Sequence, residues 1–207
     1  IVVVVGTEGS EEYGPQFRSW AQRWNDVARR SELTCVTIGL DDDKAQSDHD
    51  RLREWFGQRP ADDRRPLWVV LIGHGTFDGK VAKLNLRGPD VAAAELNEWI
   101  PRDERPVALL NCTSCSGPFV AELSAPGRVI VTATKSGHEY NFARFGDYLS
   151  QTIGDPRADL DKDEQTSLLE AFVAASARTR EFYEADARLL TEHALLDDNG
   201  DKLGTPA

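Results

Sequence analysis

Five short apolar runs punctuate the chain, at 1–5, 33–38, 67–72, 106–111 and 128–133. They are rich in β-branched residues, unbroken rather than alternating, and bounded by turn formers, which is the pattern of strands covered on both faces. They predict parallel strands of one sheet. Between them, helical patterns fall at 15–30, 46–57, 90–100, 117–124 and 142–153. In "PQFRSWAQRWNDVARR", Pro15 suits a first helical turn, and Phe17, Trp20, Ala21, Trp24, Val27 and Ala28 form a stripe of 3.6-residue period. The tryptophans are expected to pack on the sheet. Asp90, after Pro89, is placed as an N-cap. Strand and helix alternate, so the fold class expected is α/β, a three-layer α-β-α domain on a mainly parallel sheet. "KVAKLNLRG" (80–88) alternates polar and apolar residues and predicts a small hairpin or an edge strand. Beyond residue 153 the character changes. Residues 155–170 are acid-rich, 166–190 predict one long helix, and "EHALLDDNGDKLGTPA" reads as an irregular, weakly ordered tail. Residues 154–207 are therefore expected to be an appendage packed on the 1–153 domain.

At 207 residues and 40% hydrophobic content, the chain can bury a full core. A net charge of −11 disfavours a nucleic-acid partner, since phosphate neutralisation needs clustered cations and the basic pairs here are short. No apolar stretch approaches the roughly 20 residues needed to span a bilayer. With no methionine and an opening inside a strand, the chain reads as processed or trimmed at its start. Three cysteines are an odd count; Cys35 reads as a small core hydrophobe, leaving the Cys112/Cys115 pair. No second C-x-x-C or histidine cluster completes a zinc tetrahedron around that pair.

Candidate chemistry gathers at two strand ends. "VVLIGHGTFDG" (69–79) delivers His74 between two glycines, and "VALLNCTSCSG" (107–117) delivers two cysteines to the same kind of place. In open α/β sheets ligands bind beyond the carboxyl ends of the strands. A histidine there titrates near neutrality, and a cysteine at a strand-to-helix turn gains thiolate character from the helix dipole and a neighbouring imidazole. That is a nucleophile and its base. The amide of Gly75 can join that of the cysteine to hold an oxyanion.

These motifs resemble the caspase-like cysteine peptidases, the group of caspases, legumains, gingipains and metacaspases. "GHGTFDG" is similar to their strand-ending His-Gly, and "CSG" (115–117) to their Cys-x-Gly and Cys-Glu-Ser-Gly. The interval from His74 to Cys115 is typical of them, and "RVIVTATKSGHEYNF" is similar to the legumain strand that ends in Ala-Thr. The resemblance spans residues 1–153. It implies the caspase-like fold, and a peptide or protein substrate cleaved by a His-Cys dyad. His74 would be the imidazole, Cys115 the nucleophile, and the Gly75 and Cys115 amides the oxyanion donors; Thr134 and Ser136 would border the substrate side chain. One spacing departs from the family: Asn111, Cys112, Thr113 and Ser114 separate Leu110 from Cys115. Distance from the strand favours Cys112 or Thr113, while the following Gly117 favours Cys115. A fold retained without the activity is also consistent with this register. Asparaginyl specificity is not implied.

"DLDKDEQTSLLE" (159–170) places Asp159, Asp161, Asp163, Gln165, Ser167 and Glu170 at positions 1, 3, 5, 7, 9 and 12, the ligand spacing of a calcium loop. Calcium is thus the expected cofactor, with no organic cofactor indicated, and a working calcium loop would favour an extracytoplasmic setting. Glu164 stands at the sixth position, where glycine is usual. Asp197, Asn199 and Asp201 offer a cation further oxygens, though an acidic turn is the expected role. Three functional readings follow: a caspase- or legumain-like cysteine endopeptidase, a non-catalytic module of the same fold that binds a peptide or protein, and, weaker, a C-x-x-C thiol oxidoreductase.

Overall fold

Four consecutive valines, Val2–Val5, form β1, and all are at most 2% exposed in the computed structural model, which describes residues 1–41, 45–60, 63–100 and 105–207. Such a run survives only in a strand covered on both faces. β1 pairs in parallel with β2 (Val36–Ile38) on one side and β3 (Leu67–Ile72) on the other. The small antiparallel strands β4 (Gly75–Phe77), β5 (Ala82–Leu84) and β6 (Val91–Ala92) form a separate sheet. β7 (Val107–Asn111) lies parallel to β3, and β8 (Arg128–Thr132) parallel to β7. β9 (Leu195–Asp197) closes the main sheet antiparallel to β8, giving the order β2-β1-β3-β7-β8-β9. The chain leaves β1 toward β2 and then crosses to β3 on the opposite side, so the β1/β3 boundary is a topological switch point.

Side chains alternate across the sheet as the strand period demands. Val2, Val4, Val69, Leu71 and Leu109 meet α2 (Asp48–Gly57), α3 (Ala93–Trp99) and α4 (Pro118–Leu123) through Leu52, Leu96 and Phe119. Val3, Val5, Val70, Ile72 and Leu110 meet α1 (Gly14–Arg30), α5 (Phe145–Thr152) and α6 (Leu168–Ala185) through Trp20, Trp24, Leu149 and Phe172. The result is the α-β-α sandwich expected from the sequence.

Some elements differ from the sequence reading. Segment 90–100 begins as β6, and the Asp90 carboxylate accepts the Leu86 N–H instead of capping a helix; Glu95 takes the Ala92 N–H at the start of α3. The 80–88 stretch forms its hairpin in the second sheet, away from the edge of the main one. The long helix spans Leu168–Ala185, shorter than 166–190. The tail is not irregular throughout: it supplies β9. Asp197, 2% exposed, accepts the N–H groups of Asn199, Gly200 and Lys202, turning the chain back on itself. Thr205 then exchanges two backbone hydrogen bonds with Leu196, at 2.9 and 2.8 Å, along the outer border of β9. No helix among the described residues is long and apolar enough to cross a membrane.

Candidate functional site

The two strand ends meet. β3 and β7 are neighbours with Leu71 opposite Asn111, and the Cys112 N–H continues the ladder to the Leu71 carbonyl at 2.9 Å. One step further, the Gly75 N–H donates to Ser114 Oγ at 3.2 Å, and that hydroxyl donates back to the Gly75 carbonyl at 3.3 Å. The approach needs glycine, because a Cβ at position 75 would lie 2.1 Å from the Ser114 carbonyl oxygen.

His74 is half-buried, and its Nε2–H donates to the Glu8 carbonyl at 3.1 Å. The ring stands edge-on to Tyr13 and Phe17, with centroids 4.8 and 5.3 Å away. Cys115 adopts φ +57°, an uncommon conformation for a residue with a side chain, and is 1% exposed. Its N–H donates to the Glu139 carbonyl at 3.0 Å. Burial pushes its thiol pKa up to about 11, against the opposing pull of a hydrogen bond with Ser114. Cys112 turns into the layer beneath α1 and α5, where burial, reinforced by the Glu192 charge, pushes its thiol up to about 12. Among the described residues no hydrogen bond joins His74 to a sulfur. The fold therefore brings Gly75 to the 113–115 segment through Ser114, while the His74 ring packs among Tyr13, Phe17 and Phe142. Asn111, fully buried, shapes that segment by accepting the Thr113 N–H and hydroxyl.

Thr134 is buried and acts as a fastener: its hydroxyl accepts the Gly117 N–H at 3.1 Å and donates to the Ser136 carbonyl at 3.2 Å, while Ser136 Oγ accepts the His138 N–H. Two carboxylates that the sequence reading passed over anchor the surroundings. Glu139 binds His193, and Glu192, 2% exposed, accepts the Arg144 and Phe145 N–H groups at the start of α5 and the Tyr183 hydroxyl. The signal available was slight: Glu139 lies inside the stretch that carried the resemblance, but its partner is 54 residues away.

In the acidic loop, oxygens of Asp159, Asp161 and Glu170 lie within 4.8 Å of one another. Asp159 accepts the N–H groups of Lys162, Asp163 and Glu164, folding the chain around its carboxylate. Glu164 takes φ +70°, the left-handed turn that the sixth position of a calcium loop requires and that costs a non-glycine residue about 1 kcal/mol or more. Glu170 also caps α6 through the Ser167 N–H and hydroxyl and accepts the Leu160 N–H; the Ser167 bonds, foremost, hold its pKa down to about 2. Asp163 is not part of the converging carboxylate group and takes the Gln165 N–H instead. Three hard carboxylates on one loop fit a hard cation such as calcium.

No protein-family model and no curated protein sequence matches the chain. Solved structures do. The Drosophila initiator caspase Dronc superposes with a TM-score of 0.65 at 12% identity, over 96% of this chain and 78% of that one. Caspase-1 from Spodoptera frugiperda superposes at 0.61 and 10% identity, over 96% and 86%. The chain, with its six-stranded sheet and its His-Gly and Cys-bearing strand ends side by side, has the caspase-like fold.

Proposed function

We propose that the protein is a caspase-fold module that recognises a peptide or protein segment at the carboxyl end of its sheet without cleaving it. One observation carries this reading: both amides that would hold an oxyanion are engaged elsewhere. The Gly75 N–H serves Ser114 and the Cys115 N–H serves Glu139, while the His74 ring is held through Nε2 on the Glu8 carbonyl. Burial pushes the pKa of both thiols near the site up, to about 12 for Cys112 and about 11 for Cys115. A buried thiol is a poor nucleophile, because the thiolate is the reactive form.

The cysteine-endopeptidase reading stands second, favoured by the Gly75–Ser114 contact that sets Cys115 one residue from the neighbouring strand end. In it His74 assists thiolate attack, Cys115 forms the acyl-enzyme, the Gly75 and Cys115 amides hold the oxyanion, and Thr134 and Ser136 border the substrate side chain. The amides would first have to leave Ser114 and Glu139.

Incubation with a diverse peptide library, with and without calcium, separates the two. Retention of particular peptides, uncut, supports the module. Cleavage that disappears in Cys115→Ala and persists in Cys112→Ala overturns it in favour of the peptidase, and the reverse pattern moves the nucleophile to Cys112. We propose in addition that the 159–170 loop binds calcium through Asp159, Asp161 and Glu170, with Asp163, Gln165 and Ser167 drawn in as ligands on binding.

A further inference from the structure

Cys115 is joined to the 135–141 loop that follows β8: its N–H donates to the Glu139 carbonyl at 3.0 Å, and a Cβ on nearby Gly117 would meet the Lys135 and Ser136 backbone at 2.4 Å. Packing supplies part of the hold: a Cβ on Gly137 would meet Phe77 at 2.4 Å, so the β4 side chain presses directly on the loop backbone. The rest is concentrated in one side chain. Glu139 Oε2 accepts the Lys135 N–H at 2.9 Å and the His193 N–H at 3.2 Å, and Oε1 meets His193 Nδ1 at 2.5 Å. Lys135 Nζ lies 4.0 Å from the same carboxylate. The backbone carbonyl of Glu139 is also the group that takes the Cys115 N–H. One residue thus fastens the loop to itself, to the segment leading into β9, and to the strand end. Its side chain is 12% exposed and that of His193 is 35% exposed, so the clasp sits at the rim, where it can open without disturbing the core.

Resting on the recognition reading above, we infer that Glu139, clasped to His193, is the positioning residue that keeps the 135–141 loop fastened to the strand end, and that a peptide partner reaches the Cys115 N–H by displacing this loop. The loop presents a backbone carbonyl to the Cys115 N–H, the kind of contact an extended peptide makes, so it acts as an internal occupant of the place.

The test reads the two sulfurs separately. The full chain and its Glu139→Gln and His193→Gln variants are treated with iodoacetamide near pH 8, and alkylation of Cys112 and Cys115 is followed by mass spectrometry. Loss of one charge-assisted hydrogen bond raises an opening equilibrium about ten- to a hundredfold, so Cys115 should react faster by that factor in Glu139→Gln. His193→Gln should give a similar gain, and the double variant little more than either, since both remove one contact. Cys112, sealed in the core on the other side of the strand end, should keep its wild-type rate. An unchanged Cys115 rate in both single variants overturns the clasp, and so does a parallel rise at both sulfurs, which would mean general loosening. Peptide capture from the library, run on the same variants, addresses the parent reading. Faster Cys115 alkylation with no peptide retained by any form leaves the clasp standing and removes peptide recognition.

Discussion

Replacing Glu192 tests how firmly the C-terminal segment is built into the fold. This carboxylate, 2% exposed, accepts the Arg144 and Phe145 N–H groups at the start of α5 and the Tyr183 hydroxyl of α6. Glu192→Ala removes a cap, worth about 1 kcal/mol. It also strands the Phe145 N–H, on a residue 0% exposed, at about 1–3 kcal/mol for a buried unsatisfied donor, while the Tyr183 hydroxyl keeps its bond to Thr191. Burial of the charge works the other way and raises the Glu192 pKa above the ordinary carboxylate value. The net expectation is a loss of about 3 kcal/mol, or about 6–12 °C in Tm for a domain of this size. Glu192→Gln keeps an oxygen for the helix amides and an NH2 for the Tyr183 oxygen, and should cost about 1 kcal/mol or less. The pH dependence separates the variants. With a raised folded-state pKa, the native protein holds the Glu192 proton where the unfolded chain has released it. Stability therefore gains from this group as pH falls from the raised value to the ordinary one, an increment absent from Glu192→Gln. Urea denaturation across that range measures both effects. An Ala variant within about 1 kcal/mol of wild type, or a Gln variant as damaged as Ala, would refute the capping argument.

If the 159–170 loop takes calcium, the melting temperature should climb with the logarithm of free calcium, and equal values in calcium and chelator remove the site. Glu164→Gly should tighten calcium binding and relieve about 1 kcal/mol of left-handed strain; weaker binding in titration calorimetry would count against the loop geometry. The Glu170 carboxyl should titrate near 2 by NMR, with the stability it contributes present above the ordinary carboxylate value and lost as pH falls toward 2; an ordinary midpoint would mean that the Ser167 and Leu160 bonds do not persist in solution.

Sequence and structure agree where the signal is a local run. The apolar runs at 67–72 and 106–111 became β3 and β7 almost residue for residue, because burial on both faces leaves no polar position to confuse the pattern. Their adjacency, and with it the meeting of Gly75 and the 113–115 segment, was open in the sequence, because alternation of strand and helix does not fix the strand order. β9 escaped because three residues amid acids carry no period, and its pairing with β8 is a choice made by the rest of the sheet. The clasp of Glu139 and the cap of Glu192 escaped for the same reason: each joins groups about fifty residues apart, and no spacing rule reaches that far. The Cys112/Cys115 pattern pointed to a nucleophile, yet sequence gave no measure of burial, which decides whether a thiol ionises. In the acidic loop the reverse held. Glu164 counted against a calcium-type turn by its identity, and the backbone takes that turn regardless.

The return of the chain along β9 also bears on synthesis. β8 is complete at Thr132, but the strand that covers its open side is made more than sixty residues later, and the Leu196–Thr205 pairing later still. During translation the sheet therefore waits with an unpaired apolar border, an invitation to other nascent chains. Closing so long a loop is also slow relative to the local helices, so the 195–205 segment sets the moment at which this border stops being sticky.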